Sequence, residues 1–294
     1  MTSPDPRTRP VAAVLYRGAE VSARRDLLAV EDPLEIRVVT ADDPEPRRLS
    51  MTMRTPGDDA DLAAGFLYTE GIVRSREQIA DITCSEDHVR VDLAAGVRLP
   101  EAVPKRSFVM TSACGVCGRA SLDNLRAEPP GPLTPGLPQL AATVVPGLPG
   151  ALLRAQATFA ATGGIHAAGL FDLHGELRLL REDVGRHNAV DKLVGALLLA
   201  GQLPATDAVL LVSARASFEL VQKALMAQIP IFAAVGAPSS LAVEARGRGR
   251  HDLARLRARR PFHRVQRRHP DHALTRPRSL RVWGPARNSV DSQS

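Results

Sequence analysis

From Gly185 onward the chain alternates between apolar stretches of two different periods, and this restricts its fold more than any other feature. In GRHNAVDKLVGALLLAG (185–201), Val190, Leu193, Val194, Leu197 and Leu198 recur at helical spacing and Gly201 follows as a stop. DAVLLVSA (207–214) is a short continuous apolar run suited to a buried strand, and SFELVQKALMAQ (217–228) is helical with Ser217 at its cap. PIFAAVG (230–236) reads as another strand and PSSLAVE (238–244) as the start of another helix. This β-α-β-α succession predicts an α/β domain, a parallel sheet layered with helices. Just upstream, ATFAATGG (157–164) enters a glycine turn. GLFDL-HG-ELRLL (169–180) then has the form of a β-hairpin with a two-residue His-Gly connection.

The first half reads as a smaller α+β unit. VAAVLY (11–16) and PLEIRVV (33–39) are enriched in β-branched residues, and RRLSMTMRT (47–55) alternates as a half-buried strand does. DDADLAAGFLYTEG (58–71) predicts a helix capped by Asp58 or Asp59 and stopped by Gly71, followed by short strands at QIADITC and HVRVDL. The expected organisation is a disordered stretch over 1–10, an N-terminal α+β domain over 11–126, and a linker over 127–148. The linker is inferred from seven prolines and four glycines in residues 127–150. An α/β domain over 149–244 and an arginine-rich tail over 245–294 complete it.

Charge and cysteine content exclude several classes. The net charge of +6 invites a nucleic-acid reading, but residues 245–294 hold 14 arginines against three acids. The remaining 24 basic and 29 acidic residues leave a mildly acidic body, so no nucleic-acid partner is expected. No apolar run is long enough to span a bilayer, and MTSPDPRTRP lacks the apolar core of an export signal. Three cysteines, Cys84, Cys114 and Cys117, are too few for a secreted disulfide framework. A cytoplasmic protein is expected, with no membrane partner.

Chemistry concentrates in three places. In TSACGVCG (111–118), Cys114 and Cys117 form a C-x-x-C pair flanked by flexible glycines, with Lys105, Arg106 and Arg119 near in sequence to favour a thiolate. One such pair supplies only two of the ligands a zinc ion needs, with Cys84, His88, His166 and His187 as candidates to complete a set. A thioredoxin-like role would want a longer helix after the pair than ASLDNLR offers. Sulfur carriage asks only for one reactive thiolate. Spacing does not choose among these three. In TGGIHAAG (162–169), Ala168 stands where a zinc deaminase places its essential glutamate in H-x-E, and the C-x-x-C lies upstream, so deaminase chemistry fails. In REDVGRHNAVDKL (181–193), Gly185, Arg186 and His187 open a helix whose N–H groups and dipole favour an anion. His187 and Asp191 share a face there, and Arg215 and Ser217 repeat the theme at a second strand-to-helix turn.

TSACGVCG, TGGIHAA, EDVGRHNAVDKL, SARASFELVQKA and GAPSSLAVE, in that order, resemble the FdhD family of formate dehydrogenase accessory sulfurtransferases, over roughly residues 11–244. The resemblance implies a second domain similar to the cytidine-deaminase fold, a three-layer α/β arrangement without its zinc chemistry and with no structural metal. It implies that Cys114 takes sulfur from a cysteine desulfurase as a persulfide, with Cys117 supporting. The sulfur would pass to the molybdenum (or tungsten) bis-guanine-dinucleotide cofactor, bound as substrate, before insertion into the formate dehydrogenase catalytic subunit. Thr162, Gly163, His166, Asp183, Gly185, Arg186 and His187 are the candidate cofactor-binding residues. Members of this family tend to form homodimers, although no heptad or exposed stripe here marks an interface. A zinc-binding hydrolase and a non-catalytic molybdoenzyme chaperone are the competing classes.

The resemblance is expected to end after Glu244. Family members continue with a helix, a strand of the form G-F-x-R and an N/T-V-Y segment that helps to hold the cofactor. ARGRGRHDLARLRARRPFHRVQ stands there instead. Codons permitted for HDLARLRARRPFHRVQ, read one base later, can give TTLPGFVRGDRFTVYS. A one-base slip near codon 245 would therefore explain the tail. It predicts a sheet edge short of a strand, no packed core over 245–294, and impaired function, since Leu256–Pro261 would stand where the cofactor segment belongs.

Overall fold

The computed structural model describes residues 5–17, 20–99, 108–109, 129–131, 133, 138–249, 252–255 and 281–283. Cys114, Cys117 and Leu256–Pro261 lie outside them.

Strands β1 (Thr8–Arg17) and β2 (Glu20–Ala29) form an antiparallel hairpin. Thr8–Pro10 are thus already strand, inside the stretch expected to be a disordered terminus, and β2 was not legible in the sequence. β3 (Asp32–Thr40) and β4 (Asp43–Arg54) pair antiparallel, and helix α1 (Asp59–Thr69) follows. β5 (Ile79–Cys84), β6 (His88–Leu93) and β7 (Phe108–Val109) complete a five-stranded sheet in the order β5-β6-β3-β4-β7, with β6 parallel to β3 and β7 parallel to β4. The period of two is visible in β3, where Leu34, Ile36 and Val38 point into the core. Asp58 occupies the N-cap of α1 with φ 56° and makes no side-chain cap. The carboxylates expected to cap serve arginines instead: Asp59 accepts from Arg54, and Asp58 lies 3.8 Å from Arg181. Gly71, at φ 73°, lies just beyond the helix end as anticipated.

Helix α2 (Leu148–Ala155) begins beside Pro149, and α3 (Ala157–Thr162) leads to β8 (His166–Phe171) and β9 (Leu177–Asp183). Their turn spans Asp172–Glu176, wider than two residues, because Asp172 Oδ1 accepts from the N–H groups of His174 and Glu176. Next come α4 (Arg186–Leu199), β10 (Val209–Val212), α5 (Phe218–Met226), β11 (Ile231–Ala234) and α6 (Ser240–Gly249). The second sheet runs β13-β12-β11-β10-β8-β9, with β12 at Asp252–Arg255 and β13 at Arg281–Trp283. The fold is α/β, but this sheet is mixed: β10, β11 and β12 are parallel, while β8 runs against β10.

One expectation for the tail is corrected. Helix α6 continues past Glu244 to Gly249, and β12 pairs with β11, so the sheet edge is not left without a strand. Strand pairing is made by backbone groups, and the open edge of β11 accepts an extended segment of almost any side-chain composition.

One apolar cluster joins the two sheets. Leu34, Ile36, Val89 and Val91 of the first share it with Leu62 and Leu67 of α1, Val190, Leu193 and Val194 of α4, and Leu210 and Phe232 of the second. A smaller cluster on the other face of the second sheet packs Leu148 and Leu152 of α2 on Phe171, Leu211 and Ala233. Helix α4 is therefore enclosed on nearly every side, and ten of its fourteen residues are buried. Helices α1 and α4 touch at glycines: a Cβ on Gly65 would lie 1.8 Å from the Asp191 carbonyl oxygen, and one on Gly195 would lie 1.8 Å from that of Asp61.

Candidate functional site

The candidate residues gather where β8 begins and where α4 and α5 start. His166 opens β8 and lies opposite Asp183 at the end of β9. Ser213, one residue beyond β10, donates its N–H to the Ala167 carbonyl, accepts the Ala167 N–H on Oγ, and brings Oγ to 3.5 Å from His166 Nδ1. After β9 the chain turns through Val184 and Gly185 into α4, which sets Arg186 and His187 in its first turn. His187 Nε2 lies 4.0 Å from Glu219 Oε2 in the first turn of α5. Arg186 Nε and His187 Nε2 are both shielded from solvent without a hydrogen-bond partner.

Both imidazoles are held neutral at pH 7. Burial, with Lys223 and Arg186 near, pushes His187 down to about 4 against the opposing pull of Glu219. Burial and Arg186 also lower His166. The cluster thus offers one guanidinium and two neutral imidazoles at a helix start, a set suited to hydrogen-bonding an anionic oxygen without a competing proton.

The groups beneath this cluster are structural. Asp183 is fully buried; its carboxylate pairs with Lys192 Nζ at 2.8 Å and accepts from the N–H groups of Thr55 and Gly185 and from Asn188 Nδ2. Burial pushes the Asp183 carboxyl up against the pull of Lys192. With these four donors placed, Asp183 anchors α4 and is not available to touch a ligand. Lys192 Nζ also donates to the Thr55 carbonyl at 2.7 Å, which ties α4 to the end of β4. A second buried pair, Asp191 with Lys223 at 2.9 Å, engages Thr69, and Lys223 also reaches Glu70. Asp191 therefore faces α1 and α5 rather than extending the His187 site.

Thr162 and Gly163 close helix α3, just upstream of His166. Thr162 Oγ1 donates to the Thr158 carbonyl, and Gly163, at φ 68°, ends α3. Among the described residues no hydrogen bond joins either to Arg186 or His187. Ala168 is buried within β8. Arg215 is exposed, and its backbone is crossed so closely by Gly236 that a Cβ there would lie 2.7 Å from Arg215 Cα. Among the described residues no cluster of His, Cys, Asp and Glu is arranged to hold a metal ion. No helix among them is long and apolar enough to cross a membrane.

Cys84 is exposed at the end of β5. Burial together with Asp59 and Asp61 raises its thiol, which disfavours the thiolate. A cavity of about 410 Å³ lies at the far end of α4, lined by Leu197, Gln202, Arg178 and Asp207, and contains none of the candidate residues.

Sequence reasoning missed Thr52, Thr55, Asn188, Lys192, Ser213, Glu219 and Lys223. The available signal was charge at positions that periodicity assigns to the core: Asp191 and Lys192 sit between Val190 and Leu193, and Lys223 lies beside Ala224 and Leu225. Such charges are retained in a buried helix only when paired.

Comparison with known proteins agrees with the motifs. The FdhD/NarQ family model matches residues 29–257, extending 13 residues past Glu244, where the resemblance was expected to stop. A protein of Streptomyces avermitilis named sulfur carrier protein FdhD is 48% identical over 249 residues, covering 79% of this chain and 84% of that one. One of the same name from Mycolicibacterium paratuberculosis is 49% identical over 231 residues, covering 75% and 83%. A crystal structure of a protein assigned as a formate dehydrogenase accessory protein, from Desulfotalea psychrophila, superposes with a TM-score of 0.63. At 24% identity, covering 85% of this chain and 92% of that one, it supports the fold. On its matched length and on the identity of these relatives, the chain belongs to the FdhD/NarQ family.

Proposed function

We propose that this chain is a cytoplasmic sulfur carrier serving formate dehydrogenase. Its Cys114 thiolate attacks the terminal sulfur of a cysteine desulfurase persulfide, and the desulfurase cysteine leaves as a thiolate. The sulfur held on Cys114 would then pass to the metal of a bis-guanine-dinucleotide molybdenum cofactor, bound as substrate before insertion into the dehydrogenase: the S–S bond breaks, Cys114 leaves as a thiolate, and the reduced metal supplies the two electrons that bring the sulfur to the sulfide level. Arg186, with His187 and His166, meets the cofactor's phosphates, and Cys117 supports the transfer.

The observation that carries this reading is the parallel pairing of β7 with β4. Val109 lies opposite Met51, so both strands run toward Met53, whose carbonyl accepts from Asn188 in the first turn of α4. Cys114 follows Val109 by five residues, a reach of at most about 18 Å. Asn188 ties the start of α4 to the same end of β4 toward which β7 runs, which supports a cofactor held by Arg186 meeting a thiol carried on from β7. The elevated thiol of Cys84 favours Cys114 over Cys84 as the carrier.

Formate dehydrogenase activation by the wild-type chain and by Cys114→Ala tests the proposal. Loss of activation in Cys114→Ala, with a smaller loss in Cys117→Ala, is expected. Full activation by Cys114→Ala would leave a non-catalytic chaperone as the better reading. We further propose that the arginine-rich residues after β12 replace the family's cofactor segment through a one-base slip, which lowers the activity of this particular chain.

A further inference from the structure

We propose that Ser213 is a positioning residue that holds His166 as the tautomer with its proton on Nε2, so that this ring meets an anionic oxygen as a neutral hydrogen-bond donor. The inference rests on the reading that the Arg186 cluster takes a phosphate, and it gives His166 one defined role there.

Ser213 follows β10, and its N–H donates to the Ala167 carbonyl at 2.9 Å. In a regular antiparallel pair the Ser213 carbonyl would accept the Ala167 N–H in return. Here the Ser213 hydroxyl oxygen accepts it instead, at 2.9 Å, which fixes where Oγ lies. Oγ is then 3.5 Å from His166 Nδ1. Ala167 occupies one lone pair of Oγ, and the hydroxyl proton still needs an acceptor. Among the described residues His166 Nδ1 is the other polar atom within hydrogen-bond distance of Oγ. The hydroxyl therefore donates to Nδ1, and the ring proton sits on Nε2. Nε2 makes no hydrogen bond among the described residues and, unlike His187 Nε2, is not shut away from solvent.

The charged and titratable groups that face the ring are Asp183 of β9 and Arg186 and His187 of α4. Burial and the Arg186 guanidinium oppose a positive charge on His166, so the ring carries a single proton. Ser213 decides which nitrogen holds it. The Oγ to Nδ1 contact is long, and an anion accepting from Nε2–H would strengthen it, because hydrogen bonds in a chain polarise one another. The ring then stands beside Arg186 as a second donor without adding a second positive charge.

The test uses the full chain with isotope-labelled histidine rings, read by long-range proton–nitrogen correlation NMR at neutral pH, beside GDP affinity by calorimetry and thermal unfolding. His166→Gln identifies the His166 signals by their loss. In the wild type the two nitrogen shifts should be those of the single Nε2–H tautomer. In Ser213→Ala the gap between them should contract towards the mixed value of a free imidazole, and GDP affinity should fall about fivefold. Ser213→Thr, which restores the hydroxyl, should recover both. A role confined to stability would lower the unfolding temperature and leave the tautomer unchanged, and that outcome overturns the inference. A wild-type ring with its proton on Nδ1 overturns it as well, as does a Ser213→Ala chain that binds GDP as tightly as the wild type. A wild-type chain that does not bind GDP would instead remove the phosphate reading of the cluster, while the nitrogen shifts still decide whether Ser213 sets the ring.

Discussion

Replacing Gly195 by alanine tests the joint between the two halves of the molecule. In an exposed helix interior, glycine to alanine gains about 1 kcal/mol of helix propensity. Here the added Cβ would stand 1.8 Å from the Asp61 carbonyl oxygen and 2.7 Å from Gly65 N, both backbone atoms that cannot rotate away. Ordinary contact begins near 3.4 Å, so the two helices must separate by about 1.6 Å along that line. A gap of even 0.5–1 Å already forfeits roughly a quarter to a half of each dispersion contact across it. Overpacking against movable side chains costs about 1–3 kcal/mol, and against two helix backbones the loss outweighs the propensity gain. A net destabilisation of about 3 kcal/mol is expected, a large share of the roughly 5–15 kcal/mol available to a typical domain. Urea denaturation, with Gly147→Ala as control because nothing lies within 4 Å of a Cβ there, provides the measurement. Gly65→Ala combined with Gly195→Ala should cost less than the sum, since the first separation makes room for the second methyl. A Gly195→Ala chain within about 1 kcal/mol of wild type would refute the close helix contact.

Other consequences follow from the same network. His187 is held near 4 when folded and returns to about 6.5 when unfolded, so between those values the unfolded chain binds more protons. Stability should therefore fall as pH drops from 6.5 towards 4, by at most about 3 kcal/mol from this residue, and His187→Gln should flatten the dependence of Tm on pH. Lys192→Met strands the buried Asp183 carboxylate and should cost about 3–5 kcal/mol, with partial recovery in Asp183→Asn/Lys192→Met; equal losses in both would argue against the pair. Arg186→Ala should weaken GDP binding by about 1.5–3 kcal/mol in calorimetry, and an unchanged affinity would return this helix start to a purely structural role. The gene, read one base later from about codon 245, should encode G-F-x-R and V-Y near residues 255–265; any other reading sinks the proposed slip.

The elements from β8 to α6 were legible because their apolar periods are clean and their ends carry glycine or serine. β2 was not, since EVSARRDLLA mixes charge and alanine and is held as a strand by pairing with β1. The direction of β8 was also hidden: nothing in HAAGLF shows that it runs against β10. The candidate residues Arg186, His187 and His166 were visible as polar motifs at element boundaries. The residues that hold them were invisible for a physical reason. Asn188, Thr52 and Lys192 gain their importance from partners more than a hundred positions away, and local spacing carries no trace of a bond such as Lys192 to the Thr55 carbonyl. Asp183 misled in the opposite direction, because a carboxylate beside a glycine turn looks available in sequence and is enclosed in the fold.

The central claim is that sulfur travels on Cys114, and mass spectrometry of peptides from the chain after incubation with a cysteine desulfurase and cysteine tests it most directly. One additional sulfur atom on Cys114, absent from Cys114→Ala, is the predicted result. Additional sulfur found only on Cys117 or Cys84, or on no cysteine while the desulfurase itself is loaded, would contradict it.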